Sequence, residues 1–119
     1  MIAGIGVDLF ETRRFTKFRT NPEFLSQIFS VPEIARIKKR PRPGYPPAVL
    51  FALKEAALKA LGKGLAQGWL WRHVRIGPGL DIRLTKTIKR FRPRKNFTLI
   101  HAAAYCGRRF ALALTVIEK

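Results

Sequence analysis

With 119 residues and 47% hydrophobic content, the chain is long enough for one domain around a modest core. Its 24 Lys and Arg stand against 7 Asp and Glu, a net charge of +17, which favours anionic partners: nucleic acid, acidic proteins, anionic lipid or phosphorylated small molecules. One cysteine, Cys106, excludes a disulfide framework and a cysteine-built zinc site and makes a reducing, cytoplasmic compartment the expectation, and no apolar run approaches the roughly 18 residues that span a bilayer.

Residues 1–7 are apolar with glycines at 4 and 6, which predicts a first strand with a close backbone approach or a bulge. Asp8 falls at the end of that strand. The start MIAGIGVDLF lacks a basic leader and is a poor signal peptide. Residues 9–18 read as a loop entering a helix. NPEFLSQIF predicts a helix capped by Asn21, with Pro22 and Glu23 in its first turn. SVPEIARIKKR repeats the pattern with Ser30, Pro32 and Glu33 and ends in a basic turn that suits a helix C-terminus. PRPGYPP (41–47) is a rigid connection. Residues 48–61 give the clearest helix, stopped by Gly62. Short strands follow in WLWRHVRI (69–76) and LDIRL (80–84). TKTIKRFRPRK (85–95) reads as a short helix or loop. Its composition fits a solvated segment or a phosphate- or nucleic-acid-binding patch with Phe91 as a stacking face. FTLIHAAAY and FALALTVIE form a predicted hairpin across CGRR, and the last strand, apolar on both faces, belongs at the centre of the sheet.

The helix at 48–61 carries charges that need explaining. Glu55 and Lys59 are four residues apart on one face and could form a surface ion pair worth about 0.3–0.5 kcal/mol. Yet Phe51, Ala52 and Leu58 surround Glu55 on the helix surface, and a carboxylate there needs a partner. If the helix packs across the first strand, Asp8 can join it. Two carboxylates are a usual protein contribution to a Mg²⁺ site, because that ion keeps several waters and takes substrate phosphates as other ligands. Lys59 would then face a phosphate. Asp8 equally suits a cap on the turn that follows it. Lys54 has no role that the sequence assigns.

GIGVDLFETRRF, FALKEAALKALGKGLAQGWLWRHVRI and FALALTVIE together resemble the holo-acyl carrier protein synthases, the group I 4′-phosphopantetheinyl transferases. The family's Gly-x-Asp stands here as Gly6-Val7-Asp8. Its Phe/Trp-x-x-Lys-Glu-Ala-x-x-x-Lys helix stands as Phe51, Lys54, Glu55 and Ala56, with the second lysine read at Lys59, one residue short of that spacing, and the turn Gly62-Lys63-Gly64 follows. The resemblance spans nearly the whole chain and implies one transferase domain over 1–119. It implies an α+β fold, a small antiparallel sheet packed against a long helix, and a homotrimer with sites shared between neighbours. The implied reaction is a Mg²⁺-dependent transfer in fatty acid biosynthesis. A serine of an acidic acyl carrier protein attacks the phosphorus bearing the pantetheine arm of coenzyme A and releases adenosine 3′,5′-bisphosphate. In this reading Asp8 and Glu55 hold the metal and Lys59 binds a phosphate. Glu55, or a water held near it by the metal, accepts the serine proton. Lys63 and Gly64 approach the nucleotide, and Arg14, with Arg13 and Lys17 beside it, reads the carrier protein.

The chain departs from the family pattern in places. Leu50 stands where the family has a coenzyme A-binding arginine, and Ala103, Ala104, Tyr105 and Cys106 where it has Ser-x-Ser-His. His101 and His73 read as structural strand histidines, and Cys106 as a small buried or turn residue. The segment at 85–95 is shorter than the family's helix. These departures and the charge motivate a second reading: a catalytically weakened or inactive member of the fold that binds RNA or an acidic protein.

Overall fold

The structure, a computed structural model, describes residues 1–16, 21–39, 47–62, 71–90 and 99–119. In chain order the elements are β1 (Ile2–Glu11), α1 (Arg13–Thr16), α2 (Pro22–Ile28), α3 (Val31–Lys38), α4 (Pro47–Ala60), β2 (Val74–Ile76), β3 (Ile82–Leu84), α5 (Lys86–Arg90), β4 (Leu99–Cys106) and β5 (Phe110–Glu118). This is the expected α+β arrangement, an antiparallel sheet in the order β1-β5-β4 with a long helix across it, and a separate β2-β3 pair. β5 is central, as its apolar sequence predicts.

Several expectations need correction. β1 does not stop before Asp8. Its pairing with β5 continues through Asp8↔Ala113 to Glu11↔Phe110, because in–out alternation persists across DLFE. Asp8 is therefore a mid-strand residue and not a turn cap. Of the segment expected as a strand at 69–76, residues 71–73 form a tight helical turn and Val74–Ile76 is strand, while 69–70 lie outside the described residues. The alternation there misleads because Trp71 bonds to α4 through both its carbonyl and its indole. Of the segment at 85–95, Lys86–Arg90 is helix. Residues 91–95 of that segment, with Phe91, lie outside the described residues, as does 41–46.

The caps form as read. Asn21 Oδ1 accepts from the backbone N–H groups of Glu23 and Phe24 at 3.1 and 3.2 Å, and Gly62, at φ 74°, ends α4.

α4 is buried on nearly all sides, between the inner sheet face and β2. Gly4 and Gly6 set how closely it sits on β1. A Cβ on Gly6 would stand 1.8 Å from the Ala56 carbonyl oxygen, and one on Gly4 2.0 Å from that of Ala60. The helix backbone thus rests on the strand backbone, the close approach the glycines predict. The outer sheet face carries exposed apolar side chains: Ile5, Val7 and Leu9 on β1, Leu112 and Leu114 on β5, and Leu99 and Tyr105 on β4. Among the described residues no helix is long and apolar enough to cross a membrane.

Candidate active site

Strand alternation puts Gly6, Asp8 and Phe10 on the face beneath α4. The glycines draw the helix down, and α4 then presents Glu55 and Lys59, one turn apart, over Asp8. Lys59 does not form the expected ion pair with Glu55. Its ammonium bonds to Asp8 Oδ1 at 2.9 Å and to the Val7 carbonyl at 3.1 Å. Lys59 stays partly exposed, while the Asp8 carboxylate is largely covered. Glu55 Oε1 accepts a hydrogen bond from the Trp71 indole N–H. The remaining oxygens, Asp8 Oδ2 and Glu55 Oε2, are buried without a hydrogen-bond partner.

Such atoms are costly and uncommon, so a pair of them in one cleft marks a place built for something else. The Glu55 pKa lies above the ordinary carboxylate value. Burial is the main cause and the Asp8 charge adds to it, while the Trp71 hydrogen bond and the Lys59 charge act against it. The cleft measures about 350 Å³ and joins Asp8, Glu55 and Arg14 to the aromatic walls of Phe10, Phe51 and Trp71. Rings pack at 4.7 Å for Phe10–Phe51 and 5.2 Å for Phe51–Trp71, and low-polarity walls strengthen any charge interaction between them. Among the described residues no cluster of three or more His, Cys, Asp or Glu forms a closed metal cage. Two open carboxylates suit an ion that draws its other ligands from substrate and water.

Arg13 and Arg14 are neighbours on α1; Arg14 lines the cleft, its guanidinium 5.9 Å from the centre of the Phe10 ring, whereas Arg13 does not line it. Lys17, Lys63 and Gly64 lie outside the described residues. Leu50 is a core side chain, and neither it nor Ala103, Ala104, Tyr105 or Cys106 lines the cleft. Cys106 is not buried or in a turn; it is exposed as the last residue of β4. His101 is a strand residue whose Nε2 meets Glu118 Oε2 at 2.9 Å. His73 precedes β2, and its Nδ1 lies 3.0 Å from Thr85 Oγ1.

Three contributors escape the sequence reading: Lys54, Glu33 and Trp71. Lys54 is fully buried. It reaches Glu33 Oε1 at 2.8 Å, the Trp71 carbonyl at 2.9 Å and the Val74 carbonyl, which uses all three ammonium donors. Burial lowers its pKa to about 8 against the raising effect of Glu33. Glu33 also accepts from Ser30 N–H at 2.7 Å and Ile76 N–H at 2.8 Å. The available signals were weak ones: a lysine inside an apolar helix, and an indole N–H that needs a partner once covered.

Comparison with known proteins gives the chain's family and fold relatives. Residues 4–115 match the model of the 4′-phosphopantetheinyl transferase superfamily. A holo-[acyl-carrier-protein] synthase of Exiguobacterium sp. is 33% identical over 121 aligned positions, covering 100% of this chain and 94% of that protein. The crystal structure of the Neisseria meningitidis holo-[acyl-carrier-protein] synthase superposes with a TM-score of 0.83 at 23% identity, with 100% of both chains covered, a likeness of fold. The Helicobacter pylori holo-[acyl-carrier-protein] synthase, solved in complex with coenzyme A, superposes at 0.74 with 28% identity over 96% of this chain and 99% of that one. By the extent of the family match and by its full-length relative, the chain belongs to the 4′-phosphopantetheinyl transferase superfamily.

Proposed function

We propose that the cleft between β1 and α4 transfers the 4′-phosphopantetheine arm of coenzyme A to a serine of an acyl carrier protein. The chain's full-length likeness to holo-[acyl-carrier-protein] synthases, one of them solved with coenzyme A, supports this activity. The observation that carries it at the level of residues is the pair of unpartnered buried oxygens, Asp8 Oδ2 and Glu55 Oε2. They fit a Mg²⁺ ion, which when bound would neutralise charge on the coenzyme A pyrophosphate. Lys59, bonded to Asp8 and partly exposed, places a further positive charge for a phosphate. The serine oxygen forms a bond to the phosphorus that carries the pantetheine arm. The bond from that phosphorus to the adenosine bisphosphate oxygen breaks, and that oxygen leaves with the electron pair. Glu55, or a water that the ion would hold near it, is the acceptor of the hydroxyl proton. Arg14 and Arg13 on α1 present cations to an acidic carrier protein, while Lys17, Lys63 and Gly64 keep the roles the resemblance implies. The reading as a non-catalytic binder gains nothing from Leu50 or from Ala103, Ala104, Tyr105 and Cys106, none of which lines the cleft.

The test is direct. Incubation with coenzyme A, Mg²⁺ and an apo carrier protein adds the mass of one phosphopantetheine arm, and Glu55→Gln lowers that rate by about 100-fold or more. A fully active Glu55→Gln protein would refute the assignment. The same variant should unfold at a higher temperature than wild type without Mg²⁺. A carboxyl whose pKa is raised on folding contributes stability while protonated and loses it as pH rises through that pKa, so at neutral pH the Glu55 charge opposes folding.

The exposed apolar outer face supports a homotrimer. Ile5, Val7 and Leu9 are 57%, 52% and 62% exposed in the single chain, beside Leu112 and Leu114 on the neighbouring strand. Sedimentation equilibrium should return three times the 13.6 kDa chain mass, and Val7→Glu should shift it towards the monomer. A monomeric wild-type protein at micromolar concentration would refute this assembly.

A further inference from the structure

Glu55 has one carboxylate oxygen committed to the Trp71 indole and one left unpaired. Trp71 is held at more than its ring. The ring packs edge-on against Phe51, and its backbone carbonyl accepts from the Lys54 ammonium at 2.9 Å. Lys54 is itself immobilised, fully buried against Glu33, whose carboxylate is tied to the start of α3 and to the backbone of β2. Adjacent residues of α4 therefore grip one tryptophan from two ends, Lys54 by its carbonyl and Glu55 by its indole. Nothing in helix geometry alone fixes which way a glutamate carboxylate turns. Lys59 lies one turn away and could capture it, yet Lys59 is engaged with Asp8.

We propose that Trp71 is a positioning residue for Glu55: its indole N–H holds Oε1 so that Oε2 alone is offered to the cleft shared with Asp8, and the buried Lys54–Glu33 pair fixes the tryptophan that does so. The proposal rests on the reading of Glu55 as an acidic residue of the transfer site. Trp71→Phe removes the N–H together with part of the indole's bulk and leaves an aromatic ring beside Phe51, so it is read together with the indole signal of the unchanged tryptophan.

Mn²⁺ is the probe, its free concentration read by electron paramagnetic resonance. Trp71→Phe should bind Mn²⁺ about 10- to 100-fold more weakly than wild type, the usual effect of losing a group that orients a ligand. Its kcat for carrier modification should fall while KM for the carrier stays unchanged. If Glu55→Gln loses Mn²⁺ binding but Trp71→Phe binds as wild type does, the proposal fails and the site reading stands. If wild type itself takes up no Mn²⁺, the site reading fails and the proposal falls with it. A second measurement needs no change at Trp71. The chain has two tryptophans, so the ¹⁵N–¹H spectrum shows two indole signals. One should stand downfield in wild type, hydrogen-bonded to a carboxylate, and move upfield in Glu55→Gln; two unmoved signals would overturn the proposal.

Discussion

Gly6→Ala is expected to destabilise the fold by about 3 kcal/mol and to reduce transfer by roughly 100-fold in whatever protein still folds. The added Cβ would sit 1.8 Å from the Ala56 carbonyl oxygen and 2.7 Å from the Ala60 nitrogen, both backbone atoms of α4 that no side-chain rotation can clear. Relief requires the whole helix to lift off β1. Glu55 and Lys59 ride on that helix and Asp8 lies two residues along the same strand, so the lift opens the cleft where its groups must converge. Gly79→Ala is the control, because a Cβ there meets nothing within 4 Å. Urea denaturation at one protein concentration compares the two. Equal midpoints for Gly6→Ala and Gly79→Ala would show that helix and strand are not in backbone contact.

That contact was legible only in part: two glycines in a strand announce a close backbone approach or a bulge, but not that Ala56 and Ala60 of α4, about 50 residues on, would meet them. The caps at Asn21 and Gly62 and the central place of β5 were legible because their causes are local. Asp8, Glu55 and Lys59 were legible as a constellation because a family motif names them, yet how they bond to one another was not. Helical spacing pairs Lys59 with Glu55, whereas Lys59 reaches Asp8 because packing puts the strand within its span. The end of β1 was misjudged because an aspartate inside a strand looks like its terminus until the partner strand is known to continue beside it. Trp71 and Lys54 were the least legible. Their roles come from contacts across 16 to 21 residues of sequence, and neither periodicity nor composition reports which buried polar groups will meet.

Lys54→Met is the other large effect, expected to cost about 3–5 kcal/mol. The substitution nearly matches the lysine in length and keeps the apolar stem packed, so it isolates the loss of the cation. Glu33 is wholly buried and would keep its two backbone donors, from Ser30 and Ile76, but lose its counter-charge. The carbonyls of Trp71 and Val74 would lose a donor in the same step. Glu33→Gln placed in the Lys54→Met background removes the stranded charge, so the double variant should be more stable than Lys54→Met alone. A double variant no more stable than the single would show that the penalty lies in the carbonyls rather than in the unpaired carboxylate. The site supplies a separate consequence. With the carboxylate neutralised, the double variant still lacks the donor that anchors the Trp71 carbonyl, so a recovered fold should come with Mn²⁺ affinity below wild type. Stability and site order are then expected to part company, because the ion pair serves the core through Glu33 and the cleft through Trp71.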